Sequence, residues 1–409
     1  MALRMKQLVP VAALALVGCS APPPEPVTGP WRAEIMIQGQ AMPINFELAK
    51  GAGGWQCWFI NGEERVVAEQ VTLDGDLLTL AMPSFQMAIE GRFADGALVG
   101  QLTVVKSDGP NRFPLRALPG SHRFFETLEK PAIEVSGRWA ATFTEDGAAP
   151  YPAVAELHQQ GAQVTGTFLT PTADHRYLAG EVRGRELHLS AFDGYHVFLY
   201  RVTMTDDGRL VGDHWSAASE HDALVMRRDP DARLPDLEAL TALKPGYDRL
   251  DFEFPDLEGR PVALAAFLGQ VVVVTIAGSW CPNCRDEARF LAPLRERLKD
   301  RGFEVLSLQF EHAGEFAAAA AQVRVMRAAA GIGYPQLIAG ISDKQDAASR
   351  LPMLNGVFAF PTTLFLDRSG RVRRIHTGFS GPGTGARYAE LTASFERTIA
   401  ALLAETGGG

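Results

Sequence analysis

Val271-Val272-Val273-Val274-Thr275-Ile276-Ala277 runs through Gly278-Ser279 into Trp280-Cys281-Pro282-Asn283-Cys284. An unbroken row of mostly β-branched residues reads as a central strand buried on both faces, because a strand with one wet face would alternate. The pattern then predicts a helix over about 282–300. Outward from this stretch the chain alternates α and β. Residues 252–257 are a short extended entry, 303–310 a second buried strand, and 313–330 an Ala-rich segment of high helical propensity. Thr363-Leu364-Phe365-Leu366-Asp367 is a strand with a turn at Arg368-Ser369-Gly370, residues 372–377 pair back, and 388–404 form a final amphipathic helix.

These residues resemble the thioredoxin superfamily, and within it the TlpA/ResA-like extracytoplasmic branch. The resemblance covers about 248–405 and rests on a combination: a buried strand, Trp-Cys-x-x-Cys opening a helix, and Phe360-Pro361-Thr362 about eighty residues on. It implies a redox-active Cys281–Cys284 disulfide and no bound cofactor. Cys281 would be the first residue of the helix, an exposed nucleophile whose thiolate is favoured by unpaired N–H groups and the helix dipole. Cys284, three residues on and one turn deeper, would resolve the mixed disulfide. Trp280 would shield the site. Pro361 would be the cis-proline, leaving the Phe360 and Thr362 segment free to pair with a substrate strand. Thioredoxin's buried aspartate falls at Thr275 here. In ResA-like proteins a glutamate three residues after the second cysteine serves the active site, so the resemblance makes Glu287 the candidate for proton transfer, although a glutamate in a first turn also suits the helix dipole. Two departures bear on substrate preference: Arg289 stands where the family often has proline, and 311–358 is longer than a minimal thioredoxin needs.

Other readings of the pair fit less well. Zinc would need four ligands, and no second Cys or His pair accompanies this one. A static bridge would not explain a strand-to-helix junction, and a peroxiredoxin would show Thr-x-x-Cys. His214, Glu220, His221 and Asp222 lie across a turn without ligand spacing, so no metal is expected. Cys57, in Trp55-Gln56-Cys57-Trp58-Phe59, reads as a buried inert thiol.

The whole chain has 409 residues, 46% apolar and 21% charged, with a net charge of −9. That excludes a disordered chain or a multi-span membrane protein and disfavours nucleic acid as a partner. Four cysteines in this length are no disulfide scaffold. From about 30 to 230, short alternating runs such as Pro43-Ile44-Asn45-Phe46-Glu47-Leu48 are broken by turn residues and read as antiparallel β. The region repeats. Gly29-Pro30-Trp31 matches Gly137-Arg138-Trp139, Gly75-Asp76-Leu77 matches Gly184-Arg185-Glu186-Leu187, and Asp95-Gly96-Ala97-Leu98-Val99-Gly100 matches Asp207-Gly208-Arg209-Leu210-Val211-Gly212. Each copy has room for seven or eight strands in a small barrel or sandwich. The Gly-x-Trp openings are faintly similar to the first strand of lipocalin-like barrels.

At the amino terminus, Arg4 and Lys6 precede an apolar run ending in Leu16-Val17-Gly18-Cys19. It is too short to span a bilayer and resembles a lipoprotein signal, with Cys19 lipidated. Residues 20–30 are a proline-rich tether. Ser20 in place of aspartate implies, by family analogy, the outer rather than the inner membrane.

The expected organisation is multidomain: signal peptide 1–18, tether 19–30, all-β modules 31–125 and 136–229, linker 230–247, and an α/β thioredoxin-like domain 248–409. The expected activity is that of a periplasmic, lipid-anchored thiol–disulfide oxidoreductase, exchanging with protein thiols and disulfides and recharged by a membrane or periplasmic thiol donor. The resemblance favours a reductant, as in cytochrome c maturation or protein repair, while the residues leave the direction open. The competing reading is a cell-envelope binding lipoprotein whose β modules hold a ligand or partner, with the thioredoxin-like domain accessory.

Overall fold

Trp31 and Trp139 begin their strands in the same way. In the computed structural model, which describes residues 26–127 and 129–405, the Trp31 indole donates to the Val27 carbonyl at 2.8 Å and the Trp139 indole to Val135 at 2.9 Å. Gly29 and Gly137, two residues before each, both take φ +111°, a conformation open mainly to glycine. Both indoles are fully buried. Cys19 and the signal segment 1–18 lie outside the described residues, as does most of the tether.

The first copy comprises β1 (Gly29–Ile37), β2 (Gln40–Gly51), β3 (Gly54–Asn61), β4 (Glu64–Val67), β5 (Gln70–Asp74), β6 (Leu77–Met82), β7 (Met87–Ala94), β8 (Ala97–Lys106) and β9 (Gly109–Pro119). They form one antiparallel sheet ordered β4-β3-β2-β1-β9-β8-β7-β6-β5. The second comprises β10 (Gly137–Glu145), β11 (Tyr151–Gln160), β12 (Gln163–Leu169), β13 (Leu178–Arg183), β14 (Glu186–Phe192), β15 (Val197–Met204), β16 (Leu210–Ser216) and β17 (Glu220–Arg228), which close into a barrel. The matched turns fall at matched places: Asp95-Gly96 joins β7 to β8, and Asp207-Gly208 joins β15 to β16.

The first copy has nine strands, one more than its length led us to expect. The extra strand, β4, stands where the second copy has the loop 170–177. In the second copy β12 pairs with β13 from Gln163↔Glu181 to Gly166↔Leu178 and shuts the barrel. In the first, β4 and β5 remain the two edges, so the sheet is a half-barrel with an open apolar face. Such a face must be covered. Phe192, Tyr195, Val197 and Leu199 of the barrel join its core, and Trp280 packs against that cluster as well. Alternation along β15 makes this possible: Val197 and Leu199 point outward to the half-barrel, while Phe198 and Tyr200 fill the barrel's own core.

The last part comprises β18 (Glu253–Pro255), β19 (Pro261–Ala263), β20 (Val271–Ala277), α1 (Pro282–Leu298), β21 (Phe303–Glu311), α2 (Phe316–Ala330), β22 (Gln336–Ile341), α3 (Lys344–Arg350), β23 (Thr362–Leu366), β24 (Val372–Thr377) and α4 (Ala386–Ala404). The sheet order is β22-β21-β20-β23-β24, with β20 parallel to β21 and antiparallel to β23. Every residue of β20 is buried, as an unbroken apolar strand in the middle of a two-faced sheet must be. This is a thioredoxin-like α/β domain. The segment before it is not free: Lys244 N–H donates to the Met353 carbonyl at 2.8 Å and Thr241 is buried.

Candidate active site

β20 delivers the chain to Gly278, where a Cβ would run into the Trp280 indole and the Phe310 carbonyl. Glycine there lets the indole fold back and donate to the Phe310 carbonyl at 2.9 Å. Trp280 then stacks on His312, with ring centroids 5.0 Å apart, and meets Phe360 edge-on at 5.7 Å.

Cys281 follows as the N-cap of α1 rather than its first helical residue. Its φ of −89° and ψ of 117° are extended, and its sulfur accepts from the Cys284 N–H at 3.2 Å. The cap position still aims the orphan N–H groups of the first turn at the sulfur, and Pro282 at N1 removes one of them at no loss. Both Cys281 and Cys284 are free thiols. The Phe360–Pro361 peptide is cis, and its Phe360 carbonyl accepts from the Cys281 thiol at 3.4 Å. Thr362, fully buried, donates to the Ala359 carbonyl at 2.8 Å and starts β23. Cys281, Cys284, Trp280, Phe360, Pro361 and Thr362 are therefore brought together around one turn.

Behind them the site is dry. Burial pushes the Cys284 thiol well up, with the hydrogen bond and charge of Cys281 and the charge of Glu287 adding to it. Glu287 is 1% exposed. Burial raises its carboxyl to about 8, opposed by the hydroxyl of Thr363, which donates to Oε1. Tyr334, also raised by burial, feels the charges of both Glu287 and Cys284. Thr275, in the place of thioredoxin's aspartate, only donates to Ser307 at 2.8 Å. A second buried carboxylate was not anticipated. Glu311, the last residue of β21, accepts from the Ser279 N–H at 2.8 Å and its hydroxyl at 2.5 Å, and burial raises it to about 7. Its only trace in the sequence is an acid closing an otherwise buried strand.

The expectation of an exposed nucleophile is overturned. Cys281 is 4% exposed and Asn283 1%, because both β modules sit on this face. The Asn283 amide donates to Asp174 Oδ2 at 3.0 Å from the 170–177 loop. Arg176 of the same loop hydrogen-bonds Asp286 on α1 and Glu64, the latter at 2.7 Å, and forms an ion pair with Asp193 at 3.3 Å. Arg285 reaches Ser84 and lies 3.6 Å over the Phe85 ring. Lys106, at the end of β8, is pulled down to about 8 by burial; the charges of Glu220, Asp193, Asp108 and Cys281 oppose that shift. Among the described residues no cluster of His, Cys, Asp and Glu could hold a metal. His214 and Asp222 are a cross-strand pair, 3.0 Å apart, inside the barrel, and Glu220 and His221 open β17 on its exposed start. Cys57 is buried in the half-barrel core, its thiol pushed far up by that burial.

Comparison with known proteins identifies the family. Residues 245–375 match the model of the AhpC/TSA family. The thiol-disulfide oxidoreductase ResA of Geobacillus thermodenitrificans is 31% identical over 140 residues, which are 34% of this chain and 72% of that protein. The chain belongs to the ResA family of thiol–disulfide oxidoreductases. ResA of Geobacillus kaustophilus is 30% identical over the same shares of each chain. Among solved structures, a putative thiol:disulfide interchange protein DsbE from Chlorobium tepidum is 25% identical, covering 40% of this chain and 99% of its own, with a TM-score of 0.32. In this chain the matched part is the thioredoxin-like domain alone, with the two β modules preceding it.

Proposed function

We propose that this protein reduces disulfides of extracytoplasmic proteins through its Cys-Pro-Asn-Cys turn. The observation that carries the reading is the pairing of two thiols at the head of α1 with a buried carboxylic acid, Glu287, whose proton is held to about pH 8. In this reading the Cys281 thiolate attacks a substrate disulfide. A Cys281–substrate bond forms, the substrate S–S bond breaks, and the departing sulfur takes a proton. Glu287, in its ionised form, then accepts the Cys284 proton. The resulting thiolate attacks the Cys281 sulfur; the Cys281–Cys284 bond forms, the Cys281–substrate bond breaks, and the second substrate sulfur leaves as a thiolate that takes up a proton. The enzyme loses two electrons and the substrate gains them; an extracytoplasmic dithiol donor restores the pair. An acid titrating near a thiol is suited to moving that proton in either direction.

The Phe360 carbonyl beside cis-Pro361 would hold a substrate strand, with Thr362 setting the turn and Trp280 closing one side. Lipidation of Cys19 after removal of residues 1–18 would anchor the chain to the envelope, and Ser20 favours the outer membrane. No helix among the described residues is long and apolar enough to cross a bilayer. The two β modules, 31–125 and 136–229, would carry the domain beyond the 230–247 segment.

The test is Cys284→Ser in the full chain. The variant should accumulate mixed disulfides through Cys281, visible on non-reducing gels and released by dithiothreitol, while losing insulin reduction. No trapped species, together with a wild-type protein that turns over neither insulin nor a small disulfide, would defeat the proposal. The reduction potential of the couple decides the direction, since related folds span about −270 to −120 mV.

A further inference from the structure

Tyr195 lies where a substrate of the thioredoxin-like domain would have to arrive. It sits in the barrel loop between β14 and β15, yet its ring is 5.4 Å from Trp280 and stacks on His312 at 6.1 Å. Its hydroxyl is 3.5 Å from His312 Nε2. Nothing in this placement is loose. Asp193 Oδ1 accepts from the Tyr195 and His196 N–H groups at 3.0 and 2.7 Å, fixing the loop. At Gly194, with φ +98°, a Cβ would strike Met82 and Phe85 of the half-barrel. Lys106 also clamps the ring: its ammonium is 3.2 Å from the ring centroid and donates to the Tyr195 carbonyl at 3.0 Å. A cation on an aromatic face in a desolvated place is a firm contact.

The consequence is steric. A protein disulfide brings a strand with it, and neighbouring strands need about 4.8 Å of separation along the sheet edge plus room for side chains on both faces. With Cys281 at 4% exposure and Tyr195 itself at 7%, that space is filled. A small disulfide needs only an approach to one sulfur. We infer that Tyr195 is a specificity-determining residue of the exchange reaction: packed against Trp280, the residue next to Cys281, it bars protein strands and admits small disulfides until the β modules move aside. The inference rests on Cys281 being the nucleophile, as proposed above. The polar contacts of Asn283, Asp286 and Arg285 on α1 with Asp174, Arg176 and Ser84 of the modules hold the barrier shut, and water can replace them when the modules part.

The test compares reagent sizes on the reduced, full-length protein. Alkylation of Cys281 is followed by mass spectrometry with iodoacetamide and with a maleimide on a polyethylene glycol chain of several kilodaltons. Each rate is divided by that of a cysteine peptide. The wild type should discriminate against the large reagent by about tenfold or more, the signature of a predominantly closed population. Tyr195→Ala should bring the two normalised rates close together and raise insulin reduction relative to reduction of a small aromatic disulfide. Tyr195→Phe, which keeps the ring, should retain wild-type discrimination. If Tyr195→Ala does not fold by circular dichroism, Lys106→Met, which removes only the clamp, should shift the ratio the same way by a smaller factor. Equal normalised rates in the wild type overturn the inference, as does a ratio unmoved by whichever of Tyr195→Ala and Lys106→Met folds. Loss of all disulfide turnover with the size ratio intact would instead defeat the oxidoreductase reading and leave the barrier standing.

Discussion

Replacing Glu287 by glutamine tests the buried acid through stability and needs no assumption about substrate. A glutamate ordinarily ionises near 4.5, and here burial holds the proton to about 8. The folded state therefore binds a proton that the unfolded chain has released anywhere between those values. The sign follows from linkage: the contribution is complete below pH 4.5, falls as pH rises, and is gone above about 8. At 1.36 kcal/mol for each pH unit, the full swing is about 5 kcal/mol, an upper limit because a charged carboxylate would draw in water or shift its neighbours. The glutamine side chain keeps the shape and can still accept from Thr363, but it does not titrate. Urea unfolding of wild type and Glu287→Gln at a series of pH values from 5 to 9 gives the difference directly. The variant should gain on the wild type by several kcal/mol across that range, with the slope ending near pH 8. Taking the difference cancels Glu311, which titrates near 7 with the same sign. A difference that is flat with pH would refute the claim that Glu287 is held neutral by burial, and with it the proton-transfer role.

Further outcomes are expected elsewhere in the molecule. Glu287→Gln should also slow resolution of the mixed disulfide by about a hundredfold at pH 7, read by quenched-flow trapping, because general-base assistance is lost. Arg176→Ala removes the cation shared by Glu64, Asp193 and Asp286, which lie in the two β modules and the thioredoxin-like domain; unfolding should show a loss of about 3–5 kcal/mol, partly restored by adding Asp286→Asn. Trp31→Phe and Trp139→Phe each delete a buried indole hydrogen bond, and each should cost about 1–3 kcal/mol in denaturant titration. Gly278→Ala forces the Trp280 indole out of its seat and should lower stability by about 1–3 kcal/mol while changing tryptophan fluorescence.

How much of this was readable from the chain depends on how local the signal is. The central strand, the Trp-Cys-x-x-Cys turn and the helix after it are written in consecutive residues, and burial on both faces of a sheet imposes one pattern on them. The β duplication was readable for the same reason: a positive-φ glycine before a tryptophan and an Asp-Gly turn are short-range requirements that both copies must meet. The extra strand β4 was not, since Glu64-Arg65-Val66-Val67 alternates between half-buried and exposed and carries no apolar face to announce it. Nor was Glu311, whose partner Ser279 is 32 residues away.

Sequence alone placed two thiols at the start of a helix with an acid one turn behind, because those groups lie within a few residues of one another. Who can reach the thiols was decided by assembly. Lys106, Asp174, Arg176 and Tyr195 come from strand ends and loops more than eighty residues before Cys281, and each looks like an ordinary surface residue in its own segment. They converge on the motif because the half-barrel cannot close its own edge, and the apolar face it leaves open is buried against the barrel and Trp280. Burial of that face, which no single segment encodes, turned an accessible cysteine into a covered one.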